Sequence, residues 1–160
     1  MFTMPRLAEL LLSLPAVLWA ITFHEFCHGY AAYRLGDPTA MRSGRLTLNP
    51  LAHLDPVGAI MLLVARFGWA KPVPIDPRYF KNPGRDMVIV SLAGAAGNIA
   101  TAFGVGLIMR FLPRQILMNY AALNFLVHMV FINLGLAVFN LLPIPPLDGS
   151  KILYVFLPPK

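Results

Sequence analysis

Charged residues and cysteines are scarce in this 160-residue chain. Only 12% of its residues are charged, whereas 58% are hydrophobic and the mean hydropathy is +0.66. These values are far from those of an ordinary soluble domain and indicate a polytopic membrane protein. The single cysteine, Cys27, excludes an internal disulfide and a cysteine-rich zinc module, so a metal site would need His and carboxylate ligands. We expect one domain, residues 1–160.

The basic residues indicate membrane orientation rather than nucleic-acid binding. The formal net charge is +6, but the basic residues lie in gaps between apolar runs instead of forming one hydrophilic face. Residues 34–85 contain eight Lys and Arg residues, whereas the turn after the second apolar segment contains only Arg110 and Arg114. Because positive loops stay in the cytoplasm, we expect the 34–85 region there. The ends of the first and third segments then lie on the cytoplasmic side.

Three apolar segments are long enough to cross a bilayer as helices, which takes about 20 residues. They cover about residues 7–35, 87–109 and 120–142, and Pro143 stops the third because proline lacks the amide that the next turn needs. A turn and a short helix follow at 143–157. The sequence therefore predicts an all-α polytopic fold with three core transmembrane helices.

The region between the first two segments has a different pattern. Residues 46–68 alternate apolar runs with Asn49-Pro50, Asp55-Pro56 and Gly58, which makes a straight spanning helix improbable. A re-entrant or membrane-embedded strand-like element fits this pattern, since irregular backbone at membrane depth must be buried in protein or line a wet cavity. Residues 69–85 are rich in proline and basic residues and predict an exposed loop.

A His-Glu-x-x-His motif, His24 to His28, lies within the first segment. On a helix this spacing puts both imidazoles on one face, where they can bind one Zn²⁺ ion. Glu25 lies beside them as the general base, since zinc activates a water molecule and the carboxylate takes its proton. Ionisable residues inside an apolar helix cost roughly 2.5 kcal/mol or more each unless they face a site. The motif predicts a buried zinc hydrolase, the alternatives being a chance match or a structural His pair.

A catalytic zinc has three protein ligands and one open position, so the motif predicts a third ligand elsewhere. Asp148 is the best placed acidic residue, because it follows the third segment in NLLPIPPLDG. Three prolines interrupt the backbone there, on the membrane side where His28 lies, and an irregular turn can direct a carboxylate into the bundle. The alternative is an N-cap role for the short helix that follows. The spacing alone leaves both open.

Two asparagines and one further histidine are candidates for the site. Asn98 lies in LAGAAGNIA, where glycines allow close helix packing, and Asn140 precedes the proline-rich turn. Either amide could donate a hydrogen bond to the oxyanion on the attacked carbonyl, or could serve interhelical packing alone. His53 is a candidate regulatory ligand in the re-entrant region. A structural hydrogen bond to the backbone is the alternative that we favour for it.

Three separated stretches, HEFCH, LAGAAGN and NLLPIPPLDG, together resemble the site-2 protease family of intramembrane zinc metalloproteases. The stretch GRLTLNPLAHLDPVG is similar to the compact prokaryotic branch of that family. The resemblance implies one zinc ion per chain, with Glu25 as the catalytic glutamate. The zinc ligands that it implies are His24, His28 and Asp148. It also implies that Asn98 and Asn140 assist the oxyanion or the substrate.

The resemblance implies a multi-pass protein of a prokaryotic cell membrane whose zinc is reached by water from the cytoplasm. The reaction would be hydrolysis of peptide bonds in or near the transmembrane segments of protein substrates within the lipid bilayer. A substrate helix would unwind by adding as a strand beside LTLNP or KPVPI. Members of this branch continue past the LDG turn, whereas this chain ends at Lys160, so we expect a truncated chain or a minimal member. The oligomeric state is not indicated.

Two other functions remain open at this stage. A non-proteolytic membrane zinc-binding or adaptor protein would hold its metal with four protein ligands and exclude water. A metal transporter would need polar residues that continue across the bilayer from the site. The second and third apolar segments contain no acidic residue, which disfavours a transporter.

Overall fold

The computed structural model describes residues 4–65 and 68–156 and is largely helical. Its helices are α1 Met4–Arg34, α2 Thr39–Arg42, α3 Pro56–Ala65, α4 Pro83–Phe111, α5 Arg114–Leu117, α6 Tyr120–Asn140 and α7 Asp148–Phe156. Two short 3-10 turns, Pro50–Ala52 and Pro77–Tyr79, lie in the connections. Parts of two predictions lie outside the described residues: positions 66–67 of the re-entrant region, and position 157 at the end of the last helix.

The three long helices pack against one another, and α7 packs against α4. Each long helix turns small or polar residues toward its neighbours. On α1 these buried residues recur every four positions: Ala16, Ala20, His24, His28 and Ala32. On α6 the buried residues are Asn133, Ala137 and the larger Met129. Small residues let helix backbones approach closely, which is the usual way that helices associate without a hydrophobic driving force between them.

The outward faces of α4 and α6 are strongly apolar. Phe103 and Phe111 on α4, and Phe131 and Val138 on α6, are each at least 66% exposed. Among the described residues, α4 and α6 are the two helices long and apolar enough to cross a membrane. Only 17% of the most apolar stretch of α6 is buried, unlike the core helix of a soluble protein. A polar interior within an apolar surface is the arrangement expected in lipid.

The observed long helices start and stop near the predicted segments, with the largest difference at the start of α4. The apolar run predicts a start near residue 87, whereas α4 begins at Pro83. Proline suits the first turn of a helix, because that turn has no partner for its amide. The Asp86 carboxylate also accepts a hydrogen bond from the Asn82 amide at 3.1 Å. This first turn is polar, so a search for apolar runs misses it.

The predicted strand-like element is wrong for the described residues. Those residues form no strand, and one isolated bridge links Leu54 with Ala70. The centre of the region is instead the ten-residue helix α3. Its start is fixed by Pro56 and by Asp55, whose carboxylate accepts a hydrogen bond from the Gly58 amide at 2.8 Å, as an N-cap does. The re-entrant character of the region stays a prediction.

Most of residues 69–85 are exposed, but two of their apolar side chains are buried. Val73 and Phe80 are each only 6% exposed. The fully buried Asp37 carboxylate accepts hydrogen bonds from the Thr39 amide at 2.9 Å and from the Asp76 amide at 2.7 Å. It thereby joins the turn after α1 to this segment.

Candidate metal centre

Helix α1 presents His24 and His28 to the interior of the bundle. Both side chains are buried, at 4% and 5% exposure, in the same stripe as the alanines that face α4 and α6. Their Nε2 atoms lie 2.9 Å apart, and the rings meet edge to face with centroids 4.5 Å apart. The spacing of four residues has therefore placed two nitrogen donors beside each other.

Asp148, the first residue of α7, completes a cluster of three donor atoms. Its Oδ2 atom lies 3.1 Å from His24 Nε2 and 2.8 Å from His28 Nε2. Zn²⁺ bound tetrahedrally at about 2.0–2.1 Å keeps its ligand atoms roughly 3.3 Å apart, close to this spacing. Two imidazoles and a carboxylate are also a donor set that zinc accepts. The three side chains therefore fit a zinc ion in both chemistry and spacing.

Two contacts to the other polar atoms of the ligand side chains orient these donors. His28 Nδ1 lies 2.7 Å from the Val90 carbonyl, which only accepts, so in the neutral ring the proton is on Nδ1 and the Nε2 lone pair faces the cluster. Lys151 Nζ lies 2.9 Å from Asp148 Oδ1, the carboxylate oxygen that faces away from the histidines. Such outer contacts fix ligand geometry and support metal affinity.

Gly94 on α4 lies directly against the donor atoms of the two histidines. A Cβ atom at this position would lie 2.5 Å from His28 Nε2 and 2.7 Å from His24 Nε2, closer than real contacts allow. Gly97, one turn on, has the same relation to Cys27, whose Sγ would lie 2.5 Å from an added Cβ. The glycines thus allow α4 to form one wall of the cluster, with no side chain in the space beside the ligands.

Glu25 lies next to the first histidine in sequence, but its carboxylate has a separate partner. Oε2 accepts a hydrogen bond from the Val73 amide at 2.8 Å. Glu25 is half-buried and is absent from the cluster of three donor atoms. The segment around Val73 therefore reaches the motif, a contact between residues 48 positions apart that no sequence pattern indicated.

The two candidate asparagines have different surroundings. Asn98 is fully buried, its Nδ2 donates to the Ala20 carbonyl on α1 at 3.4 Å, and its Oδ1 has no partner among the described residues. Ala20 lies one turn before His24, so Asn98 is anchored near the motif. Asn140 donates instead to the Leu136 carbonyl of its own helix at 3.0 Å. The oxyanion roles of both remain predictions.

His53 lies outside the cluster of metal-binding donor atoms. It is fully buried, and its Nε2 lies 2.8 Å from the Thr47 carbonyl. This contact agrees with the structural role that the sequence analysis favoured over a regulatory one. Sequence reasoning gave no role to Lys151 or Val73, although the spacing of Lys151 three positions after Asp148 on a helix was a signal that could have found it.

One protein-family profile and several curated proteins are similar to this chain. The profile described as Peptidase family M50 matches residues 114–158. The chain is 45% identical over 146 residues to "Putative zinc metalloprotease YwhC" of Bacillus subtilis, covering 88% of this chain and 66% of that protein. It is 35% identical over 150 residues to "Putative zinc metalloprotease Rip2" of Mycolicibacterium smegmatis, covering 89% and 56%.

A third relative is more distant but is covered more fully. A protein of Methanocaldococcus jannaschii, also named as a putative zinc metalloprotease, is 32% identical over 157 residues, covering 95% of this chain and 75% of that protein. The chain thus spans between about half and three quarters of these relatives. No solved structure matches it significantly. On these similarities the chain belongs to peptidase family M50, the site-2 protease family of zinc metalloproteases.

Proposed function

We propose that the chain is a zinc-dependent intramembrane endopeptidase that cleaves membrane proteins in or near their transmembrane segments. The observation that carries this proposal is the buried cluster of His24, His28 and Asp148 in the interior of an apolar helical bundle, with Glu25 adjoining it on α1. Family membership supports the peptidase chemistry. The apolar outer faces of α4 and α6 support its placement in a bilayer.

His24, His28 and Asp148 would hold the zinc ion. When bound there, zinc supplies Lewis acidity, which activates a water molecule and polarises the scissile carbonyl. Glu25 would serve as the general base that accepts a proton from water and donates it to the leaving amine, a role typically worth about 10²- to 10⁴-fold in rate. Asn98 and Asn140 are proposed to donate hydrogen bonds to the oxyanion or to substrate backbone. Asn140 has a second amide hydrogen beyond the one that it donates to Leu136.

We further propose three spanning helices, α1, α4 and α6, in the cell membrane of a prokaryote. The basic residues between α1 and α4 support a cytoplasmic location for that region. The site then opens to the cytoplasm, since His28 and Asp148 lie near the ends of α1 and α6 that face it. Water reaches a membrane-embedded site from that side, and a substrate helix must unwind to expose its carbonyls.

A membrane zinc-binding or adaptor protein without catalysis is the alternative. Structural zinc sites are closed by four protein ligands. In the described part of the chain, the cluster has three His or carboxylate donors and no fourth. An open coordination position favours catalysis over a structural role.

The proposal is tested by reconstituting the purified chain in liposomes with a single-span model substrate. Cleavage should stop when a chelator removes zinc and return when zinc is added back, because the ligands alone cannot activate water. Substrate that stays intact with fully zinc-loaded protein, across several transmembrane sequences, would support the non-catalytic alternative.

A further inference from the structure

The Glu25 carboxylate is held by a backbone segment that is unusually poor in donors. Its partner, the Val73 amide, lies between Pro72 and Pro74, neither of which has an amide hydrogen. Val73 is therefore the one backbone donor between Lys71 and Ile75. This amide donates its hydrogen bond to the Glu25 carboxylate rather than to a backbone carbonyl.

Two further contacts hold this segment in place, one with His53 and one with α1. The Lys71 amide donates to the His53 carbonyl at 2.9 Å. The Val73 side chain packs beside Gly29, where an added Cβ would lie 3.2 Å from Val73 Cγ1. Gly29 is one helical turn after Glu25, so its lack of a side chain lets the segment approach the helix at the level of the carboxylate.

Arg45 supplies the third attachment of this segment. Its side chain is buried, at 7% exposure, and its Nη2 donates to the Lys71 carbonyl and, at 3.2 Å, to the Pro72 carbonyl. Within the described residues it forms no ion pair with a carboxylate. Burying a cation without a counter-charge costs free energy, and the hydrogen bonds to the two carbonyls offset part of that cost. The Pro72 carbonyl shares a peptide unit with the Val73 amide, and the Lys71 carbonyl lies one residue earlier.

We propose that Arg45 is a positioning residue for Glu25. Its guanidinium holds the Lys71 and Pro72 carbonyls, which fixes the Val73 amide and thereby holds one carboxylate oxygen, leaving the other for proton transfer. The catalytic part of this inference rests on the proposed function, whereas the contacts that link Arg45 to Glu25 through Val73 do not depend on it. Misplacement of a reacting group by about 1 Å can cost roughly 100-fold in rate.

Amide exchange tests the chain of contacts without any turnover. Because Pro72 and Pro74 carry no amide hydrogen, amide exchange within residues 72–74 reports on Val73 alone. In the full chain, Arg45→Met should accelerate exchange of the Val73 amide roughly tenfold or more, because it removes the hydrogen bonds that hold the Lys71 and Pro72 carbonyls. Glu25→Ala should have the same effect, because it removes the acceptor of the Val73 amide. Arg42→Met is the matched control, since Arg42 is exposed and its side chain has one hydrogen bond within the described residues, to the Tyr79 hydroxyl at 3.5 Å. Unchanged Val73 protection in Arg45→Met would overturn the proposal.

Kinetics then separate positioning from simple structural support. Arg45→Met should lower kcat by about 10- to 100-fold while KM stays within about twofold and zinc content stays at the parent value. Arg45→Lys, which keeps one cationic donor, should recover part of kcat. A fall in kcat that follows loss of zinc, or no fall at all, would overturn the positioning role. If the parent chain itself fails to cleave, the proposed function fails, and the exchange experiment still decides the Arg45 contact.

Discussion

Replacing Glu25 by glutamine should abolish cleavage and leave zinc bound. Glutamine has the same shape and can still accept the hydrogen bond from Val73, but it cannot take a proton from water. Because a positioned general base contributes about 10²- to 10⁴-fold, we expect turnover to fall by that factor or below detection. Zinc content should not change, since Glu25 is not among the three clustered donors. Turnover of a model substrate and metal analysis of the same samples measure both effects.

The matched control for this variant is Glu9→Gln. Glu9 is the other glutamate of the chain, lies about four turns earlier in α1, and is not expected to take part in the chemistry. Its replacement should leave turnover near the parent value. Turnover by Glu25→Gln equal to that of the control would contradict the mechanism. Loss of zinc from Glu25→Gln would instead assign Glu25 a ligand role.

Replacing Gly94 by alanine adds only a methyl group but should greatly weaken zinc binding. The added methyl group would lie 2.5 Å from His28 Nε2 and 2.6 Å from His24 Cε1, so the rings or α4 must move. Inserting a methyl group into a packed interior typically costs about 1–3 kcal/mol, and here it also displaces two metal donors. We expect a loss of about 10- to 100-fold in zinc affinity, with cleavage lost in parallel.

Gly104→Ala is the control for this experiment. Gly104 lies on the same helix, and an added Cβ there would meet no atom within 4 Å. Zinc affinity, measured by competition with a chelator, should match that of the parent. Full zinc affinity in Gly94→Ala would contradict the close approach of α4 to the histidines.

Local patterns predicted those parts of the structure that depend on neighbours in sequence. The apolar runs located α1, α4 and α6, and the four-residue spacing within HEFCH brought His24 and His28 together. Asp148 was harder, since its spacing allowed either a ligand or an N-cap. The structure places its carboxylate within 3.1 Å of both histidines.

Contacts between distant segments could not be predicted in the same way. The approach of Gly94 to the histidines depends on how α4 is rotated against α1, which no local pattern fixes. The Arg45 and Val73 contacts depend on the path of residues 69–85, whose proline-rich and basic composition indicated exposure. Helix α3 was missed because Asp55-Pro56 was interpreted as a break, although the same pair also starts a helix.

Zinc analysis of the purified parent chain and Asp148→Ala tests the metal centre most directly. We predict one zinc ion per parent chain. X-ray absorption spectroscopy should show that two imidazole nitrogens and at least one carboxylate oxygen bind it. Asp148→Ala should lose most of its zinc, because two histidines alone leave a catalytic site one ligand short. Equal zinc content and coordination in the two proteins, or a parent without zinc under metal-replete conditions, would contradict the account.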